Sequence, residues 1–425
     1  MIRDLTLNSH RFILFSVFFT ARAYYPVLAI LFIDLGLTLD QFVMLNFIWA
    51  ITIFLFEVPS GALADTIGRR YLLIAASVLM LIEMLCLLFA SFSSGATVLA
   101  LCILNRICSG LSEACASGAD EALAYDSLPE QNRTLVWDQL LEKVMRWRSV
   151  GFVLSMIIGG LLYDPAIINY ILNERNSISE DMAHRLPVIL VLVQACVCIW
   201  VTLRMVEPVH AIAGAKLVNT FNHILTTARW AFTTPRVLAV ILIGVAVDSI
   251  VRNFATINSS YYRLIEVPEW TYGLLGALFG VMGFVIPTLA KFLNEKFSLL
   301  TNLVFIVLGT LVGLIALIPA WPVYGLIPAI CVFSVMFFLG FTVSRVLHEE
   351  AESARRATVL SVKGLIFNLG YGLFSLVFSM LLTYFPASPE GSALRSALLW
   401  QVPFFALVTF VLLIWARIAL RKMHK

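Results

Sequence analysis

The 425-residue chain is 60% hydrophobic and only 13% charged, with a mean hydropathy of +0.93. Soluble domains average about 45–50% apolar and about 25% charged residues. A water-soluble enzyme, a disordered tail and a nucleic-acid binder therefore fit poorly, since none hides this much apolar surface from water. The net charge of +3, from 29 basic and 26 acidic residues, is nearly neutral, so the placement of the charges is the informative quantity. A polytopic helical membrane protein fits, because a lipid-spanning helix takes about 20 apolar residues. An outer-membrane barrel would alternate polar and apolar positions instead.

Residues 1–11 and the apolar run at 12–33 look like a signal peptide, but the run is long and has no small-x-small cleavage site, so it reads as a retained first span. Further runs follow at 41–63, 71–92, 97–122, 144–163, 186–206, 237–259, 271–292, 299–319, 322–344, 360–383 and 397–417. Twelve spans put both termini on one side. Only Arg175, Arg185, Arg263 and Arg395 fall on the other side, and Arg22, Arg106 and Arg252 fall within spans; every other Lys and Arg shares the side of the termini. Positive charge collects inside, which predicts cytoplasmic termini. An outside polar stretch at 163–187 holds Asp164, Glu174, Arg175 and Asp181. An inside linker at 207–236 divides the chain into six-helix bundles at 1–206 and 237–425, as in many transporters. Laying Arg22 on Arg252 aligns the first and seventh spans without a gap.

Between the second and third runs stands Gly61-Ala62-Leu63-Ala64-Asp65-Thr66-Ile67-Gly68-Arg69-Arg70. Its glycines permit a tight turn and close helix approach, and Asp65 beside two arginines suits a charge-paired latch at the membrane surface. An ordinary basic loop is the bland alternative. The segment resembles the signature G-x-L-x-D-x-x-G-R-[KR] of the major facilitator superfamily, matched at Gly61, Leu63, Asp65, Gly68, Arg69 and Arg70. Arg106-x3-Gly110-x3-Ala114 in the fourth span is similar to another pattern of that family. The resemblance covers essentially the whole chain. It implies an all-α integral membrane protein of twelve transmembrane helices in two pseudo-symmetric six-helix bundles, with spans one, four, seven and ten lining a central cavity. It also implies a gating role for the loop, with Asp65 pairing near the eleventh span and Arg69 reaching Glu121 or Asp126 at the inner end of span four. Two departures stand out. Ser155-Met156 occupy the place of the Gly-Pro typical of drug/proton antiporters, and the second-half counterpart of the loop, residues 289–296, has lost its glycines and aspartate.

A charge at mid-membrane costs roughly 2.5–3.5 kcal/mol on insertion scales, so such residues face a cavity or a partner. Arg22, Arg106 and Arg252 are the candidates for holding a substrate, because planar guanidinium forks grip carboxylate or phosphate with paired bonds. Two plainer readings stand beside this one: Arg252 pairs with Asp248 on its own helix, acid before base at i, i+4, and Arg106 pairs with Glu113. Glu113 and Asp248 are the candidates for carrying a coupling ion, since burial and a neighbouring arginine act oppositely on a carboxyl group. Glu83 and Glu57 rank second. The aromatic residues around Arg22 and on the seventh span read mostly as packing.

No G-x4-G-K-[ST], H-E-x-x-H or G-x-S-x-G sequence occurs, and the six histidines avoid the span centres, so an ATPase, protease or lipase is not indicated. Cys86, Cys102, Cys108, Cys115, Cys196, Cys198 and Cys331 lie in apolar runs and read as packing residues, with no metal or cofactor implied. The sequence thus predicts a monomeric, proton-coupled secondary transporter of a small, anionic or zwitterionic organic solute, embedded in the lipid bilayer of a bacterial inner membrane. The alternatives are a proton-driven exporter of drugs and a transporter-shaped receptor or lipid-handling protein.

Overall fold

The computed structural model describes residues 2–172, 178–208, 226–227, 229–351, 356–385 and 392–422. Every regular element among them is a helix, and twelve spans are long and apolar enough to cross a membrane. Each of the apolar runs falls in one span. In chain order the elements are α1 (Ile2–Thr20), a 3-10 turn (Tyr25–Val27), α2 (Leu28–Asp34), α3 (Leu39–Ile67), α4 (Arg69–Ala90), α5 (Ala96–Ala116), α6 (Ala119–Asp126), α7 (Arg133–Tyr163), α8 (Pro165–Leu172) and α9 (Glu180–Arg204). They continue with α10 (Pro235–Leu264), a 3-10 turn (Glu269–Thr271), α11 (Tyr272–Lys296), α12 (Leu299–Leu317), α13 (Leu326–Glu350), α14 (Arg356–Tyr384) and α15 (Ser392–Lys422).

The first span is not one helix. α1 stops at Thr20, and the chain resumes helical geometry only at the 3-10 turn. Pro26 supplies the reason: it has no N–H to give to the carbonyl of Arg22 four residues earlier. That carbonyl is instead met by the N–H of Tyr25 at 3.1 Å. The carbonyl of Ala21 accepts from the Ser155 hydroxyl of α7 at 2.8 Å. A break in lipid survives only if its backbone groups find such partners.

Helix α7 begins at Arg133, well ahead of its apolar run, because its first turns are good helix formers tied by the Glu142–Arg146 pair at 2.7 Å. The polar stretch at 163–187 contains a short helix, α8, and the start of α9, which is capped by Ser179 accepting from the Met182 N–H at 3.3 Å. Four of the cysteines are buried as expected, but Cys196 and Cys331 are exposed and so fill no core gap.

Two compact units emerge. Unit 1 comprises Met1–Leu37, Ile51–Thr220 and Glu269–Gly280. Within it α4 packs on α5 and α9, and α1 on α7 and α9. The hydroxyl of Ser112 donates to the Ala76 carbonyl at 2.8 Å and binds α5 to α4. The Glu269–Gly280 segment lies against α7 through glycine: a Cβ on Gly160 would stand 2.6 Å from the Gly273 nitrogen.

Unit 2 comprises Thr38–Ala50, Phe221–Pro268 and Val281–Lys425. Helix α10 is its centre, packed on α13, α14 and α15, and is the most buried of the spans. The first turns of α3 belong here, with Gly372 of α14 against Ala50 and Phe47 and the Ser379 hydroxyl donating to the Asp40 carbonyl at 2.9 Å.

Candidate functional site

In unit 1 the break in the first span carries Arg22. Its Nη1 lies 2.6 Å from Oε2 of Glu83 on α4, and the two side chains are 2% and 0% exposed. The other carboxylate oxygen accepts from the Tyr24 hydroxyl at 2.8 Å, and Arg22 Nε donates to the Phe19 carbonyl at 3.3 Å. Asn105 of α5 completes the cluster by donating to the Glu83 carbonyl at 2.8 Å. The result is a buried, charge-balanced and hydrogen-bonded knot that joins the break in the first span to α4 and α5. Arg22 therefore does not present an open guanidinium to a cavity.

Arg106 is also buried, its guanidinium 4.5 Å from the Phe32 ring centroid. Glu113, on the same helix, is exposed although it lies inside a span. It stands within electrostatic reach of Arg22, Glu83 and Arg148, and Tyr25 feels Arg22, Arg106, Glu83 and Glu113 together.

In unit 2 the plainer reading of Arg252 is realised: its Nη2 lies 2.7 Å from Oδ2 of Asp248 on the same helix. Two contacts from α14 go beyond that reading. Arg252 Nη1 donates to Oδ1 of Asn368 at 2.8 Å, and the guanidinium sits 5.4 Å from the Tyr371 ring centroid. Lys363, also on α14, lies within electrostatic reach of Asp248 and Arg252. The Arg252 side chain is 23% exposed, so this pair is partly accessible where the Arg22 pair is not. Two cations thus face one carboxylate, which leaves a local excess of positive charge. The three arginines do not gather within one unit: Arg22 and Arg106 belong to the first and Arg252 to the second.

The loop after α3 is tied into unit 1 by an ion pair and by backbone contacts. Arg69 pairs with Asp126, the second of its two expected partners, while Glu121 is exposed. Gly68 takes φ +106°, which L side chains rarely adopt, and a Cβ there would meet the Glu207 carboxylate at 3.0 Å. Gly61 differs from expectation, since open space surrounds its Cβ direction and no close approach requires glycine there. Arg70 Nη2 donates to the Leu203 carbonyl at 2.8 Å. The Asp65 side chain lies outside the described residues. Glu207, the first residue of the linker, closes the loop. Its Oε1 and Oε2 accept from the backbone N–H groups of Arg69 and Arg70 at 3.0 and 2.7 Å, capping the N-terminus of α4 with a full negative charge. Buried Asn8 adds a second tie, donating to the Ser127 hydroxyl and the Val206 carbonyl, both at 2.8 Å.

Asn368, Tyr371, Lys363 and Glu207 are the additions that structure makes to the expected set, and Glu83, expected as a second-rank carrier of the coupling ion, is instead paired with Arg22. The signal for Glu83 was its charge inside an apolar run. The neutral Asn368 and Tyr371 carried none.

The family model of the Major Facilitator Superfamily matches residues 12–375. No curated protein matches the chain in sequence. Among solved structures, the nucleoside transporter NupG superposes with TM-score 0.73 at 11% identity, over 97% of this chain and 98% of that one. A bacterial homolog of the human lysosomal transporter Spinster, inward-facing and occupied, gives 0.68 at 16% identity, over 99% and 97%. A D-xylose–proton symporter gives 0.65 at 15% identity, over 96% and 97%.

Proposed function

The chain belongs to the Major Facilitator Superfamily and is a multi-pass membrane transporter rather than an enzyme; from that premise we propose that it moves a small organic solute with at least one anionic group, by alternating access coupled to protons. The observation that carries this reading is the Arg252–Asp248 pair, whose arginine is partly exposed, with Lys363 nearby. An anionic group of the solute replaces Asp248 on the Arg252 guanidinium, aided by the excess positive charge. Asp248 takes up a proton as it lets go, so the net charge inside the membrane stays low. Asn368 holds the guanidinium plane for a two-bond grip. Glu113, exposed and close to the Arg22–Glu83 pair, is a second carrier of protons. Of the structural neighbours, the D-xylose symporter is named as proton-coupled, in keeping with this reading.

The moving halves are 1–206 and 237–425, joined by 207–236; the Arg69–Asp126 pair lies within the first half and biases the equilibrium only as far as holding α4 to α6 favours one state. A partly exposed pair of this kind is worth about 1 kcal/mol, enough to tip two conformations without freezing either. We take the protein as a monomer of the bacterial inner membrane with cytoplasmic termini.

The test is a thermal-shift screen of the purified chain against metabolite anions, sugars, nucleosides and drugs at two pH values, since a ligand of the folded state raises the melting point. Anionic or zwitterionic metabolites are expected to stabilise wild type, and Arg252→Gln to weaken them about 10- to 100-fold, the worth of charge-assisted bonds. In proteoliposomes, wild type accumulates the best hit under a proton gradient, while Asp248→Asn exchanges it without accumulation. A response confined to cationic drugs and unchanged in Arg252→Gln overturns the anionic cargo. It favours an exporter built on Glu113 and Tyr25 instead.

A further inference from the structure

At the end of unit 1 remote from the Arg69–Asp126 pair, a cavity of about 170 Å³ opens between α2, α4 and α9. Helix α4 has 22 residues, hence a length of about 33 Å at 1.5 Å per residue, close to the ~30 Å of a bilayer's hydrocarbon core. The cavity at its Ala90 end therefore lies at headgroup depth. Leucines of α2 and α4 form one wall, and Asp34, Asp181, His184 and Arg185 supply the charge.

Arg185 is fixed but not saturated. Its Nη2 donates to the Ser91 carbonyl at 3.0 Å, and its guanidinium lies 4.0 Å from the Phe92 ring centroid. Its Nε is buried and meets no hydrogen-bond partner among the described residues, and the residue borders the cavity, where its remaining N–H groups can meet an acceptor. Asp34 is held in place from the opposite side. It accepts from the Tyr163 hydroxyl at 2.5 Å, and His184, stacked on Tyr163 at 4.2 Å, has Nδ1 at 3.8 Å from the carboxylate. Asp34 thus places a positioned carboxylate in the wall of the cavity. Asp181, in the first turn of α9, is exposed on the rim.

We propose that this cavity binds a group in which a phosphate stands next to a primary ammonium. Arg185 takes the phosphate through its fork, and Asp34 and Asp181 take the ammonium, whose N–H donors a quaternary amine lacks. The volume exceeds the ~150 Å³ that holds a benzene, which is ample for an aminoethyl phosphate. That chemistry occurs both as a phospholipid headgroup and as free phosphoethanolamine. The depth of the cavity and its leucine wall favour the lipid. The inference is independent of the transport reading, since none of these residues takes part in it.

The full-length protein, purified and delipidated, is offered dioleoyl phosphatidylethanolamine, phosphatidylcholine and phosphatidylglycerol in equal amounts, and retention is read by native mass spectrometry. Free phosphoethanolamine is tested in parallel by thermal shift. The expected result is at least about tenfold preference for phosphatidylethanolamine over both other lipids. Arg185→Gln should abolish that preference, and Asp181→Asn should erase the discrimination against phosphatidylcholine. Stabilisation by free phosphoethanolamine without lipid preference, lost in Arg185→Gln, supports the ligand class with a soluble source. Equal retention of the three lipids with no response to the free compound overturns the proposal, as does a preference that survives both substitutions. Should Arg185→Gln fail to fold, the rim variant Asp181→Asn decides alone.

Discussion

The Arg22 and Glu83 side chains are almost fully buried, so each depends on the other for its charge to be tolerated. Removing one partner of a buried pair leaves an uncompensated charge and typically costs about 3–5 kcal/mol, whereas replacing both by neutral groups is often close to neutral. Glu83→Gln is accordingly expected to lower the melting temperature sharply, and Arg22→Gln/Glu83→Gln to recover most of the loss. If Glu83→Gln melts with wild type, the pair is not holding the break. At this scale the sequence was informative in proportion to locality. Asp248 and Arg252 are four residues apart on one helix, and their pairing was readable from spacing alone. Glu83 is 61 residues from Arg22, and only the packing of α4 beside the break could assign it as the partner. Lys363, at the inner end of the run at 360–383, read as one more basic residue of the inner side, and only packing places it within electrostatic reach of Asp248 and Arg252.

The helices themselves were largely legible, because a run of apolar residues long enough to cross lipid admits no other structure. The break and the cap were harder to read. Pro26 gave a local signal for the break, yet Pro59, Pro187, Pro287 and Pro403 stand inside continuous helices. What distinguishes Pro26 is the partners waiting for the freed carbonyls, Ser155 among them. Helix α7 must also come very close to the break. A Cβ on Gly159 would stand only 1.7 Å from the Ala23 carbonyl oxygen, while one on Gly364 of α14 meets nothing within 4 Å. Gly159→Ala is therefore expected to cost at least about 1–3 kcal/mol by overpacking. Gly364→Ala should be neutral or gain about 0.5–1 kcal/mol from the lower helix entropy cost. Matched melting curves of the two variants check both statements. For the cap, Glu207→Ala removes the acceptors of two orphan N–H groups, with an expected loss of about 1–2 kcal/mol. Faster amide exchange at Arg69 and Arg70 would locate that loss at the start of α4, and unchanged exchange would refute it.

For the whole molecule, the composition of unit 1 raises a question that the sequence division at 207–236 does not. The Glu269–Gly280 segment comes from the second set of six spans, yet it packs with α7 of the first. The contact is close because it is made by glycine on both sides. A Cβ on Gly160 would lie 2.9 Å from Gly273 Cα, and one on Gly273 would lie 2.2 Å from the Met156 carbonyl oxygen. Small residues let helices approach in lipid where no hydrophobic force drives them together. Such a contact is also easily undone, because it gains little beyond van der Waals packing. If alternating access needs this segment to leave α7, a bulky side chain at the glycine should hold it away. Ala277, on the same segment, is only 8% exposed and can report the separation. In a background with the exposed Cys196 and Cys331 replaced by Ser, Ala277→Cys should resist a membrane-impermeant maleimide. Adding Gly160→Leu should raise its labelling rate about tenfold or more, the signature of an equilibrium moved by roughly 1.4 kcal/mol. Equal protection with and without the leucine would mean that the segment is a fixed part of unit 1. The moving boundary would then have to be sought elsewhere in the chain.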